Sequence, residues 1–547
     1  MTLTPPGTPL GALTARRRSG VGLVLFLFVL WLPGTSLAGH QTPVTEPVTE
    51  PITEPITGSQ APAADDTTKE TPEADQSAQL AALVASKLES IPDPRSLKRA
   101  DLPRIFKILD EGITAGRRYV TEFPESEAMP RVCCDLGRLL ILNVDRYLGT
   151  LDEEAKIFGN PLSADQKLQE RLTYLAEVVN YCQVALAAEI SSSLRCRAQV
   201  ILGDCLLKMR ESSRSADAFS KALELDTSRI DLPELKIKRI EAFEIAERYQ
   251  EMLEAGKDCL ENDPRSHFLP HLVYFTHKAH RHLGLLYDGR QLWRTWGPVL
   301  SAGSLGGEIE MPGSTDKWQV PEGKEPDFRL MADRAGFYEG FYQLALGNKD
   351  AALQAMIKYN DQLYERINSG ETISMATKTY LEFQSLPMSQ RIDVLHGRVA
   401  PSLDGLRWIQ APPESDEDKK LELRLFCDSN RASNRQSRFI DLLRKLEHEY
   451  SSQGLRVVWL SSVLRAERAV REANAMTEIA IERKLGWSFG VQPGVEAGVL
   501  ERHLVPHGGT LLMAIDSEGI VRWEVIDPMF WDAGLYRSII ERLLESS

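Results

Sequence analysis

The chain has 547 residues, with 64 Lys and Arg against 78 Asp and Glu, a net charge of −14. At roughly 150 residues per domain this is about three domains, and the acidic balance argues against a nucleic-acid binder, whose affinity rests on clustered cations. A globular mixture of 43% apolar and 26% charged residues, with one apolar run alone fit for a bilayer, excludes a multi-span transporter.

Arg16, Arg17 and Arg18 precede an apolar run from Val21 to Leu32, followed by Pro33, Gly34 and Ser36-Leu37-Ala38. A basic start, a short apolar core and a small-residue site predict a secretory signal over residues 1–38, cut after Ala38. Left uncut, Gly20 to Ala38 would be a one-pass anchor and the chain's sole membrane attachment. Either way the remainder is expected outside the cytoplasm, in a bacterial periplasm or cell envelope, or secreted. Residues 39–77 read as a disordered linker. Val44-Thr45-Glu46-Pro47, Val48-Thr49-Glu50-Pro51 and Ile52-Thr53-Glu54-Pro55 repeat, and proline at every fourth position removes amide donors and fixes φ, giving an extended spacer.

The seven cysteines (Cys133, Cys134, Cys182, Cys196, Cys205, Cys259 and Cys427) are too sparse for a disulfide scaffold. Most lie in apolar helical stretches, where a thiol packs as a small hydrophobe. No C-x-x-C occurs.

Residues 78–394 carry helical apolar spacing with few β-branched runs. In Cys196 to Arg229, the positions of Gly203, Phe219, Ala222 and Leu223 resemble a tetratricopeptide repeat, in which small residues let paired helices approach. Ser215 stands where that pattern has Ala, and Thr227 where it has Pro. A second unit ends at Asp263-Pro264, with Phe243 and Leu260 in matching places. A third is marked by Leu346-Gly347-Asn348, and an earlier one by Tyr119 to Pro124 and the helix from Pro130 to Tyr147. The resemblance implies a solenoid of helical hairpins and, with it, a binding face for another protein or peptide.

Five of the ten histidines fall at His267, His271, His277, His280 and His282. Imidazole is a common metal ligand, which makes His271, His277 and His280 a candidate cluster. No carboxylate accompanies them as in H-E-x-x-H, and packing or solvated histidines are the preferred reading. Tyr287–Phe328, with Trp293, Trp296 and Trp318 among many Gly and Pro, breaks the helical period and reads as an irregular loop.

After Pro387 the pattern turns to alternating strands and helices. Leu421–Phe426 reads as a strand, Ser437–Tyr450 as a helix, Leu455–Ser461 as a strand and Arg465–Leu485 as a helix. Thr510–Ile515 and Ile520–Val525 then form a hairpin, and Leu535–Glu545 a closing helix. The order β-α-β-α-β-β-α predicts a small central sheet covered by helices. Gly486-Trp487-Ser488-Phe489-Gly490 fits G-x-S-x-G, but Ser488 follows a helix, whereas a nucleophile elbow joins a strand to a helix.

Residues 395–547 resemble the thioredoxin fold, in particular exported thiol–disulfide oxidoreductases of the TlpA/ResA type. The lead-in Gly397-Arg398-Val399-Ala400-Pro401, the strand at Trp408, Leu423-Arg424-Leu425-Phe426 and Leu512-Met513-Ala514-Ile515-Asp516-Ser517-Glu518-Gly519-Ile520-Val521 carry the likeness. The fold expected for the whole is therefore a TPR-like α-helical solenoid followed by a thioredoxin-like α/β/α sandwich.

The family's dithiol sits at a helix N-terminus, where the dipole and free amides stabilise a thiolate. Here that motif falls on Arg431-Ala432-Ser433-Asn434, without cysteine, and Thr510 stands nearest the family's cis-proline. Cys427 is the domain's sole thiol, about four residues before the nucleophile position. Arg431, Arg435 and Arg438 near the helix start could hold a carboxylate or phosphate.

These readings point to an exported, non-catalytic interaction or scaffold protein with no cofactor and no resident metal. Its catalytic positions are degenerate at Arg431, Asn434 and Thr510, and its partner is another protein or peptide, with no nucleic acid. The alternative is a divergent cell-envelope redoxin using Cys427.

Overall fold

The structure, a computed structural model, describes residues 72–92, 99–157, 160–225, 227–228, 230–315, 317–412, 418–434, 436–463, 466–493, 503, 509–528 and 532–546. The expected signal and most of the expected linker lie outside these residues. Helix α1 (Pro72–Glu89) begins inside the stretch assigned to the linker. Proline suits a first helical turn, whose amides have no intrahelical acceptor anyway. Among the described residues no helix is long and apolar enough to cross a membrane.

Packing divides the chain into two compact units, Met1–Glu122 and Phe123–Ser547. In the first, α1 packs on α2 (Leu102–Glu122) through the buried Val84, Ile105, Leu109 and Tyr119. Lys87 pairs with Glu111 across the two helices.

The second unit opens with α3 (Met129–Ile157), α4 (Ala164–Ala187), α5 (Ser192–Lys208), α6 (Ser212–Leu223), α7 (Leu232–Ile245), α8 (Tyr249–Asn262) and α9 (Leu269–Leu283). Their starts are written locally. Ser163 and Gln166 form a reciprocal capping box ahead of α4, and Ser191 and Asp231 cap α5 and α7, each satisfying an orphan amide. Small residues set how closely consecutive helices approach. A Cβ on Gly203 would stand 2.5 Å from the Phe219 ring, and Ser215 Oγ donates to the Gly203 carbonyl at 2.8 Å. Gly256 meets Thr276 in the same way between α8 and α9.

The irregular loop expected over Tyr287–Phe328 is not found. Its first half is helix α10 (Leu286–Gly303), with Pro298 inside it, and its second half holds a short antiparallel pair, β1 (Glu308–Glu310) and β2 (Lys317–Gln319). The glycines that suggested a loop are packing contacts. Gly289 lies under Tyr342, Gly297 against Ala335 and Gly303 under Phe328, so one glycine-lined face of α10 seats α11 (Glu325–Ala345) at close range. Then come α12 (Lys349–Asn368), α13 (Met375–Tyr380), a π-helical turn over Leu381–Ser385 and α14 (Leu386–Val394).

The C-terminal part is a six-stranded mixed sheet in the order β3-β6-β5-β4-β7-β8. Its strands are β3 (Arg407–Gln410), β4 (Leu421–Phe426), β5 (Leu455–Val463), β6 (Ser488–Pro493), β7 (Leu511–Asp516) and β8 (Val521–Ile526). β5 runs parallel to β4 and β6, while β7 is antiparallel to β4 and β8. The central β4 and β7 are buried along nearly their whole length, the mark of a sheet covered on both faces. A short α15 (Ser429–Ser433), then α16 (Ser437–Tyr450), α17 (Ala466–Arg483) and α18 (Ala533–Glu545) supply the helices. β6, absent from the expected alternation, occupies the G-x-S-x-G stretch, so Ser488 opens a strand and sits on no elbow.

Packing makes no break at 394/395, where the sequence suggested a domain boundary. Among the described residues two ion pairs cross it. Arg391 of α14 and Glu524 of β8 meet at 2.6 Å with side chains 1% and 0% exposed, and Arg281 of α9 pairs with the fully buried Asp532 ahead of α18. At the same seam a Cβ on Gly534 would stand 1.8 Å from the His282 carbonyl oxygen, so only glycine permits that contact. The region is thus mostly helical, joined to a C-terminal α/β part as one packed body.

Candidate functional site

Cys427, Thr510 and the Arg431–Asn434 stretch gather where β4 ends. The Cys427 amide donates to the Leu460 carbonyl at 3.0 Å, continuing the β4–β5 pairing by one residue, and Trp459 Nε1 donates to the Cys427 carbonyl at 2.8 Å. The Cys427 side chain therefore sits on rigid backbone, 3% exposed. Thr510 Oγ1 donates weakly to its sulfur at 3.9 Å. The structure thus brings together Cys427 and Thr510. Burial pushes the Cys427 thiol up to about 12, the reverse of what a reactive thiolate needs. The other six cysteines are likewise buried, and none is joined in a disulfide.

Arg431 and Asn434 lie on and just after α15, whose N-cap is Asp428, accepting from the Arg431 amide at 2.9 Å. Arg431 turns back to the same Asp428 carboxylate at 3.4 Å. Asn434 is exposed and bonds the Asn430 carbonyl at 2.9 Å. Arg438 sits at the surface on the first turn of α16, and Arg435 lies outside the described residues.

The carboxylate at this helix start is supplied by the chain itself. Glu472 of α17 reaches over, accepting from the Ser429 amide (2.7 Å), the Ser429 hydroxyl (2.7 Å) and the Ser461 hydroxyl (2.6 Å). A carboxylate at the first amides of a helix is the favourable arrangement. Sequence reasoning missed Glu472 because it is 43 residues from Ser429 and belongs to no local motif.

The five histidines are dispersed. His277 is buried with its Nδ1 accepting from Trp293 Nε1 at 2.9 Å and lying 3.1 Å from the Tyr342 hydroxyl. Its ring is held neutral by burial, well below the usual histidine range. His282 stacks on Tyr249 with centroids 3.4 Å apart. His271 is also shifted down by burial. His280 faces a groove of about 880 Å³ edged by Lys257, Asp288, Trp296 and Pro312, and burial lowers it to about 4. Among the described residues no group of three or more His, Cys, Asp or Glu is placed to share a metal ion. His271, His277 and His280 are separated because His277 is turned into the aromatic core and His280 into the groove.

A denser polar network lies at the seam itself. Arg391 donates to the His503 carbonyl and to Glu524. Arg424 pairs with Glu422 and lies 3.1 Å from His503 Nε2. Burial raises the Glu524 carboxyl, with Arg391 acting against the shift. Each of these cations already has a carboxylate or carbonyl, so the network reads as structural.

Neither a protein-family model nor a curated protein matches this chain.

Proposed function

We propose that this is an exported, non-catalytic interaction protein that joins a TPR-like helical array to a redox-inactive thioredoxin-like domain. The close contact of Gly203 with Phe219 between α5 and α6 supports the repeat reading, since small residues at such positions let paired helices approach. A parallel β4–β5 pair linked through α16, an antiparallel β7–β8 hairpin beside β4 and a closing α18 support the thioredoxin-like one. The observation that carries the non-catalytic conclusion is the chemistry at the end of β4. The sole thiol nearby is buried and hard to ionise, and the helix start that would favour a thiolate is taken by Glu472.

Dithiol exchange needs an accessible low-pKa attacking thiol and a second thiol to resolve the mixed disulfide. Neither is available at this position. The competing reading, a one-cysteine redoxin, draws on the Thr510–Cys427 contact alone. Reduction of insulin disulfides by the purified chain, with Cys427→Ser beside it, separates the two. The expected result is no turnover above the thiol background for either protein. Turnover in the wild type that Cys427→Ser abolishes would overturn the proposal.

A further inference from the structure

The groove of about 880 Å³ lies between the end of α8, the helices α9 and α10, and the turn joining β1 to β2. Small-ligand sites span about 300–1,000 Å³, so it has room for one. Leu260, Leu292, Trp296 and Met311 line it and are buried, which makes its floor apolar. Its rim is charged but balanced. Lys257 of α8 pairs with Asp288 of α10 at 3.8 Å, Asp263 pairs with Lys236 at 3.1 Å, and Glu261 and Arg265 add opposite signs. Such a rim selects no strongly charged guest.

Two buried polar side chains reach this floor. Thr276 spends its hydroxyl on the Leu272 carbonyl at 2.7 Å. His280 is 2% exposed, and neither of its ring nitrogens has a hydrogen-bond partner. Thr276, one turn back, acts on the ring through its backbone without closing a hydrogen bond. Burial lowers the imidazole to about 4, so at neutral pH it carries one N–H donor and one lone pair. An unmet donor and an unmet acceptor both cost free energy, which an apolar side chain at this position would not. We propose that the groove binds a small uncharged molecule with a flat aromatic body and one hydroxyl or carboxamide, which His280 recognises. The aromatic body lies against Trp296 and Met311. A hydroxyl or carboxamide both donates and accepts, so it serves either imidazole tautomer. The ring's own torsion is soft, and a small turn brings a nitrogen to face the groove. This site goes beyond the interaction reading and stands without it.

The test titrates the full chain with p-cresol and benzamide, with toluene and benzoate as their apolar and charged counterparts, and with N-acetyl-tyrosinamide, which carries the cresol ring on a peptide unit. Binding is read by calorimetry and by saturation-transfer NMR of the probe. Wild type is expected to bind p-cresol or benzamide saturably, about tenfold or more tighter than toluene or benzoate. His280→Leu should abolish the preference over toluene. Gln291→Trp, at an exposed lining position, should weaken every probe that binds. N-acetyl-tyrosinamide binding tighter than p-cresol identifies a tyrosine side chain of a peptide as the source, and weaker binding a free small molecule. Either supports the site. No saturable binding of p-cresol or benzamide, equal affinity for toluene, preference for benzoate, or a preference over toluene that His280→Leu leaves intact overturns it. Should His280→Leu not fold, the wild-type comparison and Gln291→Trp decide, and affinities that Gln291→Trp leaves unchanged overturn the site.

Discussion

Replacing Glu524 by Leu leaves the Arg391 guanidinium buried with its charge uncompensated. The partners are 1% and 0% exposed and 2.6 Å apart, so little water can take over from the carboxylate. Two unit charges about 4 Å apart at an effective dielectric near 20 attract by about 4 kcal/mol. Removing one member of a buried pair costs about 3–5 kcal/mol, a large share of the roughly 5–15 kcal/mol that holds a domain folded. Glu524 Oε1 has no hydrogen-bond partner, so the pair is imperfectly satisfied. Its net worth against an apolar replacement of similar size is therefore small, and the double variant Arg391→Met/Glu524→Leu is expected within about 1 kcal/mol of wild type. Urea unfolding followed by tryptophan fluorescence, with Trp523 buried on the same strand, gives the four corners of the cycle. Single variants each costing below about 1 kcal/mol, or a double variant equal to the sum of the singles, would refute the account of how the helical and α/β parts are joined.

Three further outcomes follow from the same physics. His280 and His396 are both lowered to about 4 by burial, so between pH 6.5 and 4 the unfolded chain binds more protons than the folded one. Stability is then complete above pH 6.5 and falls as pH drops, by about 2 kcal/mol per histidine at pH 5; the melting temperature against pH, with His280→Gln flattening part of the slope, checks this. Gly203→Ala drives a methyl group into the Phe219 ring and should cost about 1–3 kcal/mol as overpacking, and an unchanged melting temperature would contradict the close-approach reading. Cys427 should react with an aromatic disulfide reagent only on unfolding, and fast labelling of the native chain at neutral pH would contradict its burial and raised pKa.

The local signals were legible. Strand β4 falls where the apolar run Leu421–Phe426 put it, and α16 where the amphipathic stripe Ser437–Tyr450 did. Both patterns are complete within one element. Tyr287–Phe328 was misread because glycine marks a turn or a close approach with equal ease. Whether Gly289 is one or the other depends on Tyr342, 53 residues further on. The groups that define the candidate sites were least legible for the same reason. Glu472 answers Ser429 across 43 positions and Asp532 answers Arg281 across 251.

The seam between α14, α9 and the sheet also bears on how such a chain can be inherited. A module exchanged whole by recombination must carry its charges in balance, but here the residues before 394 hold Arg281 and Arg391 and those after it hold Asp532 and Glu524. Gly534, pressed on the His282 carbonyl, adds a steric match to the electrostatic one. Transplanting either half onto another protein would leave Arg391 on one side, and Glu524 and Asp532 on the other, each buried without the partner it has here.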